Sequence, residues 1–215
     1  MDLIVFLLLI CVLVYFSIFL LHLLLYTRKI DTKLKNYYYG IAFFLVMFLI
    51  ARTIFLVNDV IYDETGDLFF YTGPPYIIGN FFATLATFGI MLVVEKYVYT
   101  KLHFVPSVIV FICAVLTLVL PVIGDFNMIN IYSIIAAIIG GLIPILYLIV
   151  GFQVKGQPGR KSTLLGIGLI IFMVGLLMYI DTLQEEIQIF VLLSPILTIT
   201  GLGLFHYGLL FYGTS

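Results

Sequence analysis

Runs of about twenty apolar residues, separated by short polar stretches, recur along this chain from end to end. A helix rising 1.5 Å per residue needs roughly 20 such residues to cross the ~30 Å hydrocarbon core of a bilayer. Lipid offers no partner for a backbone N–H or C=O, so each run must close its hydrogen bonds within itself, as a helix. This reasoning predicts seven spans, at 3–26, 37–57, 75–94, 104–122, 129–152, 163–180 and 187–211. The expected fold is an all-α, seven-transmembrane-helix bundle, with residues 1–215 forming a single integral membrane domain. Composition agrees: 64% of residues are hydrophobic and 10% charged, with a mean hydropathy of +1.27. A soluble domain is closer to half apolar and a quarter charged.

Several function classes are disfavoured at this stage. The connections between runs are short, the longest being residues 58–74, so no water-soluble catalytic domain fits between spans. A nucleic-acid partner would need a basic patch on a water-facing surface, and the chain's charge is sparse and near balance. Cys11 and Cys113 lie inside apolar runs, which argues against a disulfide framework or a thiolate metal site. The first run lacks a basic leader, is longer than a signal-peptide core and ends in positive charge, so it reads as a retained helix.

Charge sorting sets the expected orientation. The first, third and fifth loops hold Arg28, Lys29, Lys33, Lys35, Lys96, Lys101, Lys155, Arg160 and Lys161, nine of the ten basic residues. The N-terminus and the alternate loops hold Asp2, Asp59, Asp63, Glu64, Asp67, Asp125, Asp181, Glu185 and Glu186, nine of the eleven acids. Basic loops stay in the cytoplasm, which places the N-terminus outside and the C-terminus inside. The expected location is the cell membrane, with the lipid bilayer as the first partner and anionic lipid or protein partners at the basic loops.

Proline and glycine mark the joints. Gly156–Gln157–Pro158–Gly159 has the composition of a turn. Pro144 and Pro195 fall inside the fifth and seventh spans, where each should kink its helix. Ser194, Thr198, Gly201 and Gly208 line one face of the seventh span, and Gly168 and Gly175 one face of the sixth. Small residues let helix backbones approach closely in lipid, so these two spans are expected to pack on each other. A 3+1+3 internal repeat would align residues 39–47 with 165–173, which share Gly, Ile and Met at matching positions.

Arg52 is the basic residue that marks no loop. It lies five residues inside the predicted end of the second span, roughly 7–8 Å deep. Side chains lean toward the helix N-terminus, which here points Arg52 deeper and away from the nearer surface. Intramembrane charges tend to face protein and to mark function, the alternative for Arg52 being that its long side chain snorkels to the outer surface. Depth puts Asn80, Ser133, Tyr179 and Ser194 near Arg52, and Asp59 and Asp181 within reach as counter-charges. The expected site is an outward-facing polar pocket for a small, anionic ligand, formed by Arg52, Asp59, Asn80, Asp181 and Ser194. At the cytoplasmic side His22, Glu95 and His206 form a weaker polar set. Their spacing has no HxxxH or HExxH pattern, so no metal and no cofactor is expected there. Retinal proteins need a lysine in the middle of the last span, and SWEET-type sugar transporters carry Pro-Gln motifs; this chain has neither. No serine, histidine and acid set aligns at one depth, so an enzyme is not expected.

With Arg52 near Asp59, and Glu95–Lys96 ending the third span, the chain resembles uncharacterised archaeal seven-helix membrane proteins. Its layout is also similar to the seven-helix sensor regions of histidine kinases. The second resemblance implies a receptor- or sensor-like role. The alternatives are a small transporter with a midplane site and Pro144 and Pro195 as hinges, or a structural subunit of a membrane complex.

Overall fold

A computed structural model describes residues 3–30, 32–66, 73–119, 127–179 and 189–211, and every regular element in them is helical. The helices are α1 (Leu3–Thr27), α2 (Thr32–Thr65), α3 (Pro74–Tyr97), α4 (Val105–Val119), α5 (Asn127–Gly140), α6 (Leu142–Gln153), α7 (Gln157–Leu177) and α8 (Ile189–Leu210), with a 3-10 turn at Thr100–Leu102. Six helical stretches are long and apolar enough to span a bilayer, α5 and α6 counting together as Ile131–Gln153. This is the architecture of a multi-pass membrane protein. The fourth predicted span is shorter over the described residues, 15 in α4, about 22 Å of rise.

Two helices outrun their hydropathy. The second span was expected to stop at Val57, but α2 continues through Asn58–Thr65 and ends where Gly66 turns to φ 66°. Nothing between Val57 and Gly66 breaks a helix, and polarity alone does not. Of the predicted turn Gly156–Gly159, the last three residues are instead the first turn of α7, with Pro158 at a position where its missing N–H costs nothing. Gly156, the first residue of that predicted turn, stays outside the helix with a φ of 87° that suits glycine.

The fifth span is interrupted at Gly141. Pro144 cannot donate to the carbonyl four residues back, and its ring crowds that carbonyl, which belongs to Gly140, the last residue of α5. The irregularity lies one turn before Pro144, and Gly141 itself keeps helical dihedrals, φ −60° and ψ −19°.

By its internal contacts the chain divides between Gly140 and Gly141 into two compact units. One is His22–Gly140; the other joins Asp2–Leu21 to Gly141–Ser215. The division does not follow a 3+1+3 repeat, because most of α1 belongs with the C-terminal helices.

In the first unit α2 and α3 run antiparallel, and glycine sets their spacing. Val93 lies over Gly40, Phe43 over Gly89 and Phe55 over Gly79, so each step up α2 is a step down α3. A methyl group at Gly79 would come within 2.6 Å of the Phe55 ring. Beyond them Phe88 of α3 meets Phe111 of α4 at 5.2 Å between ring centroids. Val110, Cys113 and Ala136 form a buried cluster under Phe88, Tyr132 and Ile135.

In the second unit the small-residue faces of α7 and α8 meet as expected. A Cβ at Gly201 would lie 2.6 Å from the Gly168 carbonyl oxygen, and one at Gly175 would lie 2.6 Å from the Thr198 nitrogen. The Ser194 hydroxyl donates across the pair to the Gly175 carbonyl at 2.8 Å, and Ser162 of α7 donates to the Tyr147 carbonyl of α6 at 2.7 Å. From α1, Phe16 packs edge-on to Phe172 and Phe19 edge-on to Phe205. Lys161 Nζ donates to the Leu209 carbonyl at 3.0 Å, placing a cation at the carbonyl end of α8.

Candidate functional site

Arg52 continues the buried stripe of α2. Ile41 and Leu45 are fully buried and Phe48 is 8% exposed. Arg52 follows at the same helical spacing, half-buried, and Asp59 extends the stripe two turns further. The guanidinium carbon lies 5.6 Å from the centroid of the Phe48 ring, four residues back toward the helix start. The side chain therefore leans toward the apolar middle of α2, stabilised by the ring face.

Neighbouring helices bring polar groups to this level. Since Phe55 packs over Gly79, Asn80 of α3 stands about level with Arg52. The Asn80 side-chain nitrogen donates to the Tyr76 carbonyl at 3.0 Å, and its oxygen accepts from the Ser133 hydroxyl of α5 at 3.2 Å. Depth reasoning on the sequence had set both residues beside Arg52, and the structure joins them to each other. Tyr76 meets Phe55 at 6.0 Å between rings. Asn58, which was not singled out from the sequence, is buried, and its side-chain nitrogen has no hydrogen-bond partner among the described residues. Leaving such a donor unpaired costs about 1–3 kcal/mol.

The remaining predicted residues lie elsewhere. Asp181 is outside the described residues. Ser194, 1% exposed, is committed to the Gly175 carbonyl within the second unit. His22 is exposed on α1. His206 is buried in the second unit, stacked on Phe19 at 4.3 Å, with its Nδ1 3.1 Å from the Tyr15 hydroxyl. Glu95, 1% exposed, belongs to the first unit and accepts from the Ser107 backbone N–H at 3.3 Å.

No protein family, curated protein or solved structure matches this chain. Its function has to be argued from the site alone.

About the level of Arg52 stand the Asn80 amide and the Ser133 hydroxyl, while Asp59 lies two turns further along the same stripe of α2 and Asn58 beside it on another face. Such groups bind and orient. Among the described residues no three His, Cys, Asp or Glu side chains gather in a geometry that could hold a metal ion. Sequence inspection missed Asn58 because it stands one residue past the apolar run, where a polar residue looked like loop.

Proposed function

We propose that this multi-pass protein is receptor- or sensor-like, with seven spans, its N-terminus outside and its C-terminus in the cytoplasm of the cell. In this reading the Arg52 layer binds a small anionic ligand arriving from outside. The carrying observation is Arg52 itself, continuing a buried stripe with its guanidinium turned inward over Phe48. A guanidinium held at depth costs about 2.5–3.5 kcal/mol on insertion scales, and that cost is offset when an anion or polar partners receive it. Its planar fork matches a carboxylate or phosphate bidentately. The Asn58 amide, which has no hydrogen-bond partner among the described residues, is a further donor on the same helix. The orientation rests on the basic first, third and fifth loops.

The test is a thermal-shift screen of the protein in lipid nanodiscs against small carboxylates and phosphates. A ligand at a hundred times its dissociation constant stabilises by about 2.7 kcal/mol. At least one should raise the unfolding midpoint of the wild type and leave Arg52→Gln unmoved. No shift in the wild type, or equal shifts in both proteins, counts against the reading.

A second reading, a small transporter, is favoured by one observation. The Ile131–Gln153 span carries a joint at Gly141, where regular helical bonding lapses for one residue while the backbone stays helical, and transporters build midplane sites at interruptions in their helices. Accumulation of a ligand in proteoliposomes would favour transport; binding without flux favours the receptor.

A further inference from the structure

We propose that the groove between α2 and α3 at the Lys96 end of the first unit is a binding site for one anionic phospholipid. It lies at the opposite end of the pair from the Arg52 layer, and it stands whether or not that layer binds a ligand. The groove has a volume of about 280 Å³ and is open on one side. Phe43, Phe88, Leu92 and Val93 make its walls, so the interior accepts only an apolar occupant such as an acyl chain. Its shape is built in: the Phe43 ring packs against Gly89 and Val93 against Gly40, while Phe88 packs on Phe111.

The polar lining residues are Asn36, Lys96 and Tyr97, near the start of α2 and the end of α3. Lys96 is exposed, with its ammonium 5.4 Å from the centroid of the Tyr97 ring. Tyr37 meets Tyr97 edge to face, with ring centroids 5.8 Å apart. The adjacent carboxylate does not cancel the lysine. Residues one apart on a helix point about 100° apart, and Glu95 turns inward to the Ser107 N–H. Lys96 forms no ion pair among the described residues. A cation, an amide and a phenol thus stand over an apolar slot, which is the pattern of an amphiphile with a negative head. Basic pockets between membrane helices hold anionic headgroups in this way, and such lipids are enriched in the cytoplasmic leaflet where the basic loops are placed.

Native mass spectrometry of the purified protein with phosphatidylglycerol or phosphatidylcholine of identical chains tests this, with glycerol phosphate as the headgroup alone. The wild type should retain one phosphatidylglycerol in preference to phosphatidylcholine, and glycerol phosphate should not bind, because the groove holds the chain. One lysine near the membrane surface is worth about a fivefold change in affinity. Lys96→Gln should therefore lose about that much preference, Lys96→Arg should keep it, and the exposed Lys101→Gln should match the wild type. Leu92→Phe, which narrows the slot without touching charge, should lower retention of both lipids. Equal retention of the two lipids by the wild type overturns the proposal, as does an equal loss in Lys101→Gln and Lys96→Gln.

Discussion

Glu95 accepts a hydrogen bond from the backbone N–H of Ser107 at 3.3 Å, so a buried carboxylate at the end of α3 caps the start of α4. Ser107 is the third residue of α4, where N–H groups have no partner inside the helix. Glu95→Ala should lower stability by about 1–3 kcal/mol, because it removes the acceptor and leaves a void. Glu95→Gln keeps a carbonyl oxygen for Ser107 and should cost less than half as much. Thermal unfolding in detergent measures both; equal losses would mean that the carbonyl contact contributes nothing.

The α7–α8 contact makes a sharper contrast between two glycines. A methyl group at Gly201 runs into the Phe172 backbone, whereas one at Gly203 stays 3.5 Å from the Tyr15 hydroxyl. Gly201→Ala should destabilise by about 1–3 kcal/mol, the usual cost of overpacking. Gly203→Ala should stay within about 0.5 kcal/mol of the wild type. Comparable unfolding midpoints for the two variants would argue against the close approach.

Asn80 and Ser133 hydrogen-bond between α3 and α5 at 3.2 Å. Interhelical bonds of this kind average about 0.6 kcal/mol and reach about 1.7. A double-mutant cycle with Asn80→Ala and Ser133→Ala should give a coupling energy in that range. A coupling indistinguishable from zero would show that the two side chains do not depend on each other.

The apolar runs were legible as helices because lipid leaves a backbone no alternative. The ends of α2 and α7 were not, since Asn58–Thr65 and Gln157–Lys161 are helical without being apolar. Gly168, Gly175 and Gly201 could be read as packing residues from their helical spacing. Gly40, Gly79 and Gly89 do the same work between α2 and α3, yet their partners Val93, Phe55 and Phe43 lie far away in sequence. For the same reason the grouping of α1 with the C-terminal helices left no mark in the sequence. At the site, Arg52 stood out by its cost in lipid, and Asn80 and Ser133 by depth. The Glu95 contact did not, because its partner is a backbone amide, which residue identity cannot reveal.

Orientation has its own test. Thr65, exposed at the end of α2, and Gln157, exposed at the start of α7, should face opposite sides of the membrane. With Cys11 and Cys113 replaced, an impermeant thiol reagent on intact cells should label Thr65→Cys, and should label Gln157→Cys only after permeabilisation. The reverse pattern would invert the assignment drawn from the basic loops.

The proposed pocket at Arg52 is tested most directly by reagent access at Asn80, which is half-buried and about level with the Arg52 backbone. In the cysteine-free background, Asn80→Cys should react on intact cells with the small anionic reagent 2-sulfonatoethyl methanethiosulfonate. Arg52→Gln should slow that reaction by about tenfold, as expected when a cleft loses its steering charge. No reaction on intact cells, with full labelling after denaturation, would mean that the layer is sealed and binds nothing from outside.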